Sequence, residues 1–216
     1  MYLSADVQRL EKMLQEVGAL WQHDGNPARP YALLTSGKIS NFYFNGSKAI
    51  EKPQLLIQIV EHVLRQADFQ IGISVVLGPA VGAIPLVYEV ARQMAALAWF
   101  AEKSEDGSME IKRFETRPAL GYGLLAEDVI TTGGSLLKTL EAQSLHSPQI
   151  EMKGVVCIVN RSGNEYLGGT GLKIYSLLTK EARVWERGEN PFTSDGQELL
   201  EPVRPKQNWT ALTKFY

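Results

Sequence analysis

A chain of 216 residues, 44% hydrophobic and 21% charged, is long enough to bury a sizeable core and has the composition of an ordinary globular protein. A net charge of -2 gives no footing for broad nucleic-acid binding, and the single Cys157 excludes both an internal disulfide and a cysteine-built metal site. A cytosolic setting is the expectation.

In chain order, Val7, Leu10, Met13, Leu14 and Val17 recur at helical spacing, which predicts an amphipathic helix over residues 4–17 with Ser4 as N-cap. Asp6, Glu11, Lys12 and Glu16 interrupt this segment, so no secretory leader is expected. Trp21–Pro30 reads as a turn-rich loop, followed by short strands at Tyr31–Leu34 and Asn41–Asn45 around a turn at Thr35–Lys38. From about residue 53 the pattern changes to alternating helices and apolar strands. Helices are expected at Pro53–Gln66, Val81–Leu97 and Ser135–Ser144. Strands are expected at Ile71–Gly78, Ala98–Glu102, Gly123–Glu127, Glu151–Asn160 and Gly171–Thr179. Ala83–Phe100 is the most apolar stretch, but Glu89 and Arg92 within it argue for a buried helix running into a strand, so no membrane span is expected. Ser104–Arg117 is polar and aperiodic, a loop or hairpin. This alternation predicts an α/β fold with a doubly wound, mostly parallel sheet, whose ligands bind at the carboxyl ends of the strands.

The most specific segment is Leu124–Ser135, LLAEDVITTGGS. An apolar strand end leads to the paired carboxylates Glu127 and Asp128, then Val129 and Ile130, then Thr131, Thr132, Gly133, Gly134 and Ser135 at the start of a helix. A helix N-terminus offers free N–H groups and the positive end of a dipole to a phosphate dianion. Glycines let the backbone approach, and the hydroxyls add donors. The acid pair is suited to accept hydrogen bonds from vicinal ribose hydroxyls, or to sit beside a Mg²⁺ that neutralises diphosphate. No GxxxxGK[ST] element and no dinucleotide fingerprint occurs.

This segment resembles the 5-phosphoribosyl 1-diphosphate (PRPP) motif of type I phosphoribosyltransferases, and its Glu-Asp opening is similar to one branch of the orotate phosphoribosyltransferases. The resemblance extends over about residues 10–180. It implies that family's fold as a single domain over residues 1–216. About 1–50 would form a hood to which a C-terminal segment can add, about 53–180 the core, and about 181–216 a tail. It implies PRPP and orotate as substrates, orotidine 5'-monophosphate and diphosphate as products, and a place in pyrimidine nucleotide biosynthesis. It also implies Mg²⁺ carried mainly by PRPP and close to Asp128, with no dedicated protein metal site. A cytoplasmic homodimer without nucleic-acid or membrane partners completes the expectation. Another base, or a nucleic-acid-binding regulator on the same fold, are the alternatives.

By the same resemblance, residues Glu127 to Ser135 bind PRPP, and Pro79, Ala80, Val81 and Gly82 form the diphosphate loop. Tyr43, Phe44, Thr131 and Arg161 contact orotate, the last through its carboxylate. Lys103, on a catalytic lid, would bind PRPP and neutralise departing diphosphate, and with Asp128 is the expected catalytic residue. The chain departs from the family in several places. Gly82 and Thr35 stand where relatives carry lysines, and Glu102 stands where many carry an arginine. Lys112 and Arg113 are the expected substitutes from the far side of the lid, and Asn190-Pro191-Phe192-Thr193 lacks the cysteines of a Cys-Pro-Leu-Cys-like element. His23, His62 and His146 fall outside every motif, so direct displacement at the anomeric carbon is expected, without a covalent enzyme intermediate.

Overall fold

The computed structural model describes residues 4–67, 69, 72–115, 121–189, 193–194, 197–198 and 200–214. Ile71, Arg117 and Asn190-Pro191-Phe192, all singled out in the sequence, lie outside them. Helix α1 (Ala5–Glu16) begins where expected, because the Ser4 side chain accepts the Val7 amide at 3.3 Å and Val7, Leu10 and Leu14 share its buried face. Strand β1 (Leu20–Gln22) follows and corrects the reading of a loop from Trp21 onward. It is extended because Leu20 and Trp21 pair antiparallel with Phe44 and Tyr43, a partnership invisible in local propensity. Strands β2 (Ala32–Leu33), β3 (Ile39–Ser40) and β4 (Phe42–Phe44) flank the expected turn, and a short unpredicted helix, α2 (Gly46–Ile50), leads on.

The core opens with α3 (Pro53–Ala67), Pro53 at its first position, and β5 (Ile73–Pro79). Helix α4 (Ile84–Met94) starts three residues later than expected, because residues 81–83 form a turn at the end of β5. Strand β6 (Leu97–Lys103) and the two-residue β7 (Met109–Glu110) make a hairpin in the polar segment. Strand β8 (Gly121–Ile130) is longer than expected: Val129 and Ile130 continue the ladder against Val159 and Asn160, which puts both carboxylates inside the strand. Helix α5 (Gly134–His146), β9 (Ile150–Asn160) and β10 (Ile174–Thr179) complete the core. The tail holds β11 (Val184–Trp185), the pair β12 (Thr193–Ser194) and β13 (Gln197–Glu198), and α6 (Trp209–Thr213).

The main sheet has the order β10-β9-β8-β5-β6-β7, parallel except for β7. Buried residues of α1, α3 and α4 pack on one face and those of α5 on the other, as the doubly wound expectation requires. The hood draws on both ends of the chain. Strand β11 joins β3 and β2, and Val203 bridges Ala32, its amide donating to Tyr31 O at 2.9 Å and its carbonyl accepting from Leu33 N at 2.8 Å. Trp21, Ala32 and Leu212 form a separate small core there. No helix among the described residues is long and apolar enough to cross a membrane.

Candidate active site at the switch point of the sheet

Strands β5 and β8 are neighbours whose following helices leave to opposite faces. Their carboxyl ends therefore border a crevice that no crossover fills. At the end of β8, Gly133 takes φ 78°, a left-handed turn that favours glycine, and caps α5. The first intrahelical bond runs from Leu137 N to Gly133 O at 2.9 Å, so the amides of residues 134–136 precede it and need other acceptors. Gly134 N finds only a long contact to Thr132 Oγ1, 3.4 Å. A pocket of about 50 Å³ sits here, lined by Glu127 and residues 129–136. It is sized and wired for one phosphate group.

Asp128 turns to another part of the crevice. Its Oδ1 accepts the Val129 amide at 2.8 Å, and its Oδ2 lies so close over Gly46 that a Cβ there would stand 1.7 Å away. A Cβ on Gly82 would meet the same oxygen at 4.0 Å and nothing nearer. The start of α2, the β5 loop and the acid pair thus converge. Glu127 and Asp128 are half-buried within the strand. Burial, then the Asp128 charge, raises the Glu127 pKa to about 8, and burial raises Asp128 as well. In the β5 loop Pro79 is buried and Ala80 partly so, while Val81, 79% exposed, and Gly82 face solvent.

A larger cleft, about 510 Å³, lies under the hood. Its lining brings Leu33–Ser36, Tyr43 and Phe44 from the hood against Arg161 and Arg204–Gln207. Phe42 and Phe44 are the buried aromatics of β4, 2% and 8% exposed, and the Arg161 guanidinium lies 5.6 Å from the Phe42 ring centre. Arg161 is placed by its own amide, which donates to Ile130 O at 2.7 Å across the ends of β9 and β8. Its Nε and the Tyr43 hydroxyl are buried without a hydrogen-bond partner. Burial lowers the pKa of Arg161 and raises that of Tyr43, because neither charged form is compensated.

The structure does not bring Lys103 to either cavity lining; it sits exposed at the end of β6, opposite Met109. Nor do Lys112 and Arg113 face the crevice. Arg113 grips Glu102 through two bonds of 2.9 and 3.1 Å, and Lys112 pairs with Glu110 at 3.3 Å. Lys38 is held by Glu186 at 2.5 Å. The histidines are structural: His23 stacks on Tyr31 at 4.2 Å, Nδ1 accepting from Gly25 N, while His62 meets Gln66 and His146 meets Phe114 O. Sequence reasoning missed Gly46, Arg204 and Lys206. Gly46 follows the aromatic strand directly and was open to notice, whereas nothing local marks Arg204 or Lys206.

Comparisons with known proteins bear on the family and the fold. A family model described as "Phosphoribosyl transferase domain" matches residues 46–167. The chain is 36% identical over 170 residues to an orotate phosphoribosyltransferase of Caldicellulosiruptor saccharolyticus, spanning 79% of this chain and 86% of that one. It is 38% identical to the orotate phosphoribosyltransferase of Caldicellulosiruptor bescii over 175 residues, 81% of this chain and 89% of the other. The crystal structure of orotate phosphoribosyltransferase from Aeropyrum pernix superposes with a TM-score of 0.61 at 22% identity, covering 79% of this chain and 93% of that chain, a likeness of fold.

Proposed function

The chain belongs to the orotate phosphoribosyltransferase family, and from that premise we propose that it transfers the 5-phosphoribosyl group of PRPP to orotate, giving orotidine 5'-monophosphate and diphosphate. The observation that carries the base half is the pair of buried, unpartnered donors, Arg161 Nε and Tyr43 OH, in one cleft. A flat base with a carboxylate and carbonyl oxygens on its rim satisfies both: the carboxylate meets the guanidinium, and a rim oxygen accepts from the Tyr43 hydroxyl.

In this reading the α5 pocket, with Thr131, Thr132 and Ser135 and the amides of residues 134–136, takes the 5-phosphate. Glu127 and Asp128 accept the ribose hydroxyls, and Pro79–Gly82 flank the diphosphate. The base nitrogen, its N–H proton given up to solvent, attacks the anomeric carbon; a C–N bond forms, and the C–O bond to diphosphate breaks with its electron pair leaving on the diphosphate. The crevice contributes chiefly by holding nucleophile and leaving group in line. Lys103 serves as a cation for the leaving group when its hairpin closes over the site.

The residues fit a Mg²⁺ that arrives with the substrate. The described residues hold no cluster of three or more His, Cys, Asp or Glu side chains, so a stand-alone metal cage is not built. Two adjacent carboxylates with raised pKa favour added positive charge, and Mg²⁺ bound to phosphates needs only one or two carboxylates. Glu127 and Asp128 would hold it, and it would supply charge neutralisation for the diphosphate. A cytoplasmic homodimer is part of the same reading, on the family resemblance.

The test mixes protein, PRPP and Mg²⁺ with orotate and follows the loss of orotate absorbance. Turnover is expected, and Arg161→Ala should raise KM for orotate at least about tenfold while leaving KM for PRPP near its original value. Turnover on another base with none on orotate would overturn the base assignment, and equal loss of both affinities would overturn the role of Arg161.

A further inference from the structure

The 510 Å³ cleft has a cationic lining that the functional reading does not use in full. Its charged residues are Arg161, Arg204 and Lys206, and no Asp or Glu is among them. Three basic side chains of the hood and tail are instead neutralised: Arg29 by Asp24 at 2.7 Å, Lys38 by Glu186 at 2.5 Å and Arg187 by Glu201 at 2.7 Å. Arg204 and Lys206 enter no ion pair with the described residues. Three positive charges gathered on one cavity, one of them Arg161 with its Nε buried and unpartnered, and the unpartnered Tyr43 hydroxyl beside them, call for an anion.

The segment that carries Arg204 is fixed on both sides. Val203 is hydrogen-bonded to Tyr31 and Leu33 at the edge of the hood sheet. After it, the Arg204 carbonyl accepts from Gln207 N at 3.1 Å and Asn208 N at 2.9 Å, Pro205 is buried, and Asn208 caps α6. Its guanidinium therefore swings from an anchored backbone, although it is itself exposed.

We propose that Arg204 is a second binding residue for the acidic group of the base, acting with Arg161 on the rim of the aromatic wall. This rests on the reading that the base is orotate. A carboxylate is favoured over a phosphate by the layout. Neither the phosphate pocket at residues 129–136 nor the loop Pro79–Gly82 lines this cleft, whereas Tyr43 and Phe44 do. An acid in the plane of a ring that lies on those faces points at the cleft's edge, where a guanidinium fork binds it with directional bonds. Lys206 adds field to the same edge without that directionality.

Steady-state kinetics on the full chain test this, comparing wild type with Arg204→Ala, Arg204→Lys and Lys206→Ala, and using uracil, which lacks the carboxylate, as a competitor. Arg204→Ala should raise KM for orotate about tenfold or more and leave KM for PRPP within about twofold. Arg204→Lys should recover part of that loss, Lys206→Ala should raise KM for orotate less than Arg204→Ala, and inhibition by uracil should be the same in wild type and Arg204→Ala. Orotate kinetics unchanged in Arg204→Ala, KM for orotate and PRPP rising together, or uracil inhibition falling in step with orotate affinity would each overturn the assignment. Absence of orotate turnover in the wild type would instead overturn the functional reading on which it rests, so the two failures are distinguishable.

Discussion

At the scale of single residues, the acid pair on β8 is where sequence and environment pull hardest against each other. Two carboxylates side by side and half-buried cannot both ionise cheaply, and the Glu127 pKa is raised to about 8 from an ordinary 4.5. The folded protein thus keeps this proton at pH values where the unfolded chain has lost it. Its contribution to stability is complete below about pH 4.5 and disappears as pH rises through about 8. Glu127→Gln, which removes the ionisation, is expected to raise Tm at about pH 8.5 and leave it unchanged near pH 3.5, below the ordinary carboxylate pKa; in a chain of this size ~1 kcal/mol corresponds to about 2–4 °C. A thermal melt at the two pH values decides it, and an equal shift at both would show that charge burial is not the cause. The same substitution should weaken PRPP binding, so the site trades stability for function.

At the scale of elements, the hairpin of β6 and β7 behaves differently from a bare solvent-exposed loop. Gly107 takes φ 83° at its tip, Asp106 accepts from the Ser108 amide and hydroxyl, and Lys138 of α5 donates to the Gly107 carbonyl at 2.6 Å. The tip is thereby tied to the helix whose N-terminus lines the pocket proposed for the phosphate, while Glu102 and Arg113 brace the base of the hairpin. If Lys103 is to reach a leaving diphosphate, this tether must release. Lys138→Ala is expected to speed hydrogen exchange at residues 104–110 by about three- to tenfold, the loss of one exposed hydrogen bond, with exchange in β5 and β8 unaltered. No change at the hairpin would mean that the tether does not restrain it in solution. The polar, aperiodic composition of this segment was readable as a loop or hairpin, but the ion pair that holds Arg113 on Glu102 depends on the hairpin formed by β6 and β7, which brings the two together from eleven residues apart.

At the scale of the molecule, the hood is closed by the chain's far end. Leu212 of α6 is 0% exposed and packs with Trp21 and Ala32, and Val203 extends the edge of β2. Leu212→Ala should cost about 2–5 kcal/mol, measured by denaturant titration, and raise KM for orotate more than KM for PRPP, since the tail borders the base cleft and not the phosphate pocket. Equal effects on both substrates would place the tail's influence in the core instead.

The alternating β–α pattern from about residue 53, the doubly wound sheet and the glycine turn at Thr131–Ser135 that opens α5 were determined by the sequence itself. Each is local: strand, turn and helix N-terminus are contiguous, so the residues that make the geometry are also the ones that announce it. What only the tertiary structure decided was the base cleft. Leu33–Ser36, Tyr43 and Phe44, Arg161, and Arg204–Gln207 come from parts of the chain that no period or spacing connects, and two-residue strands hold the hood through pairings that propensity does not specify. The long-range ion pairs followed the same rule: Lys38 with Glu186 and Arg113 with Glu102 meet only because the fold brings them within reach, a distance that sequence separation does not give.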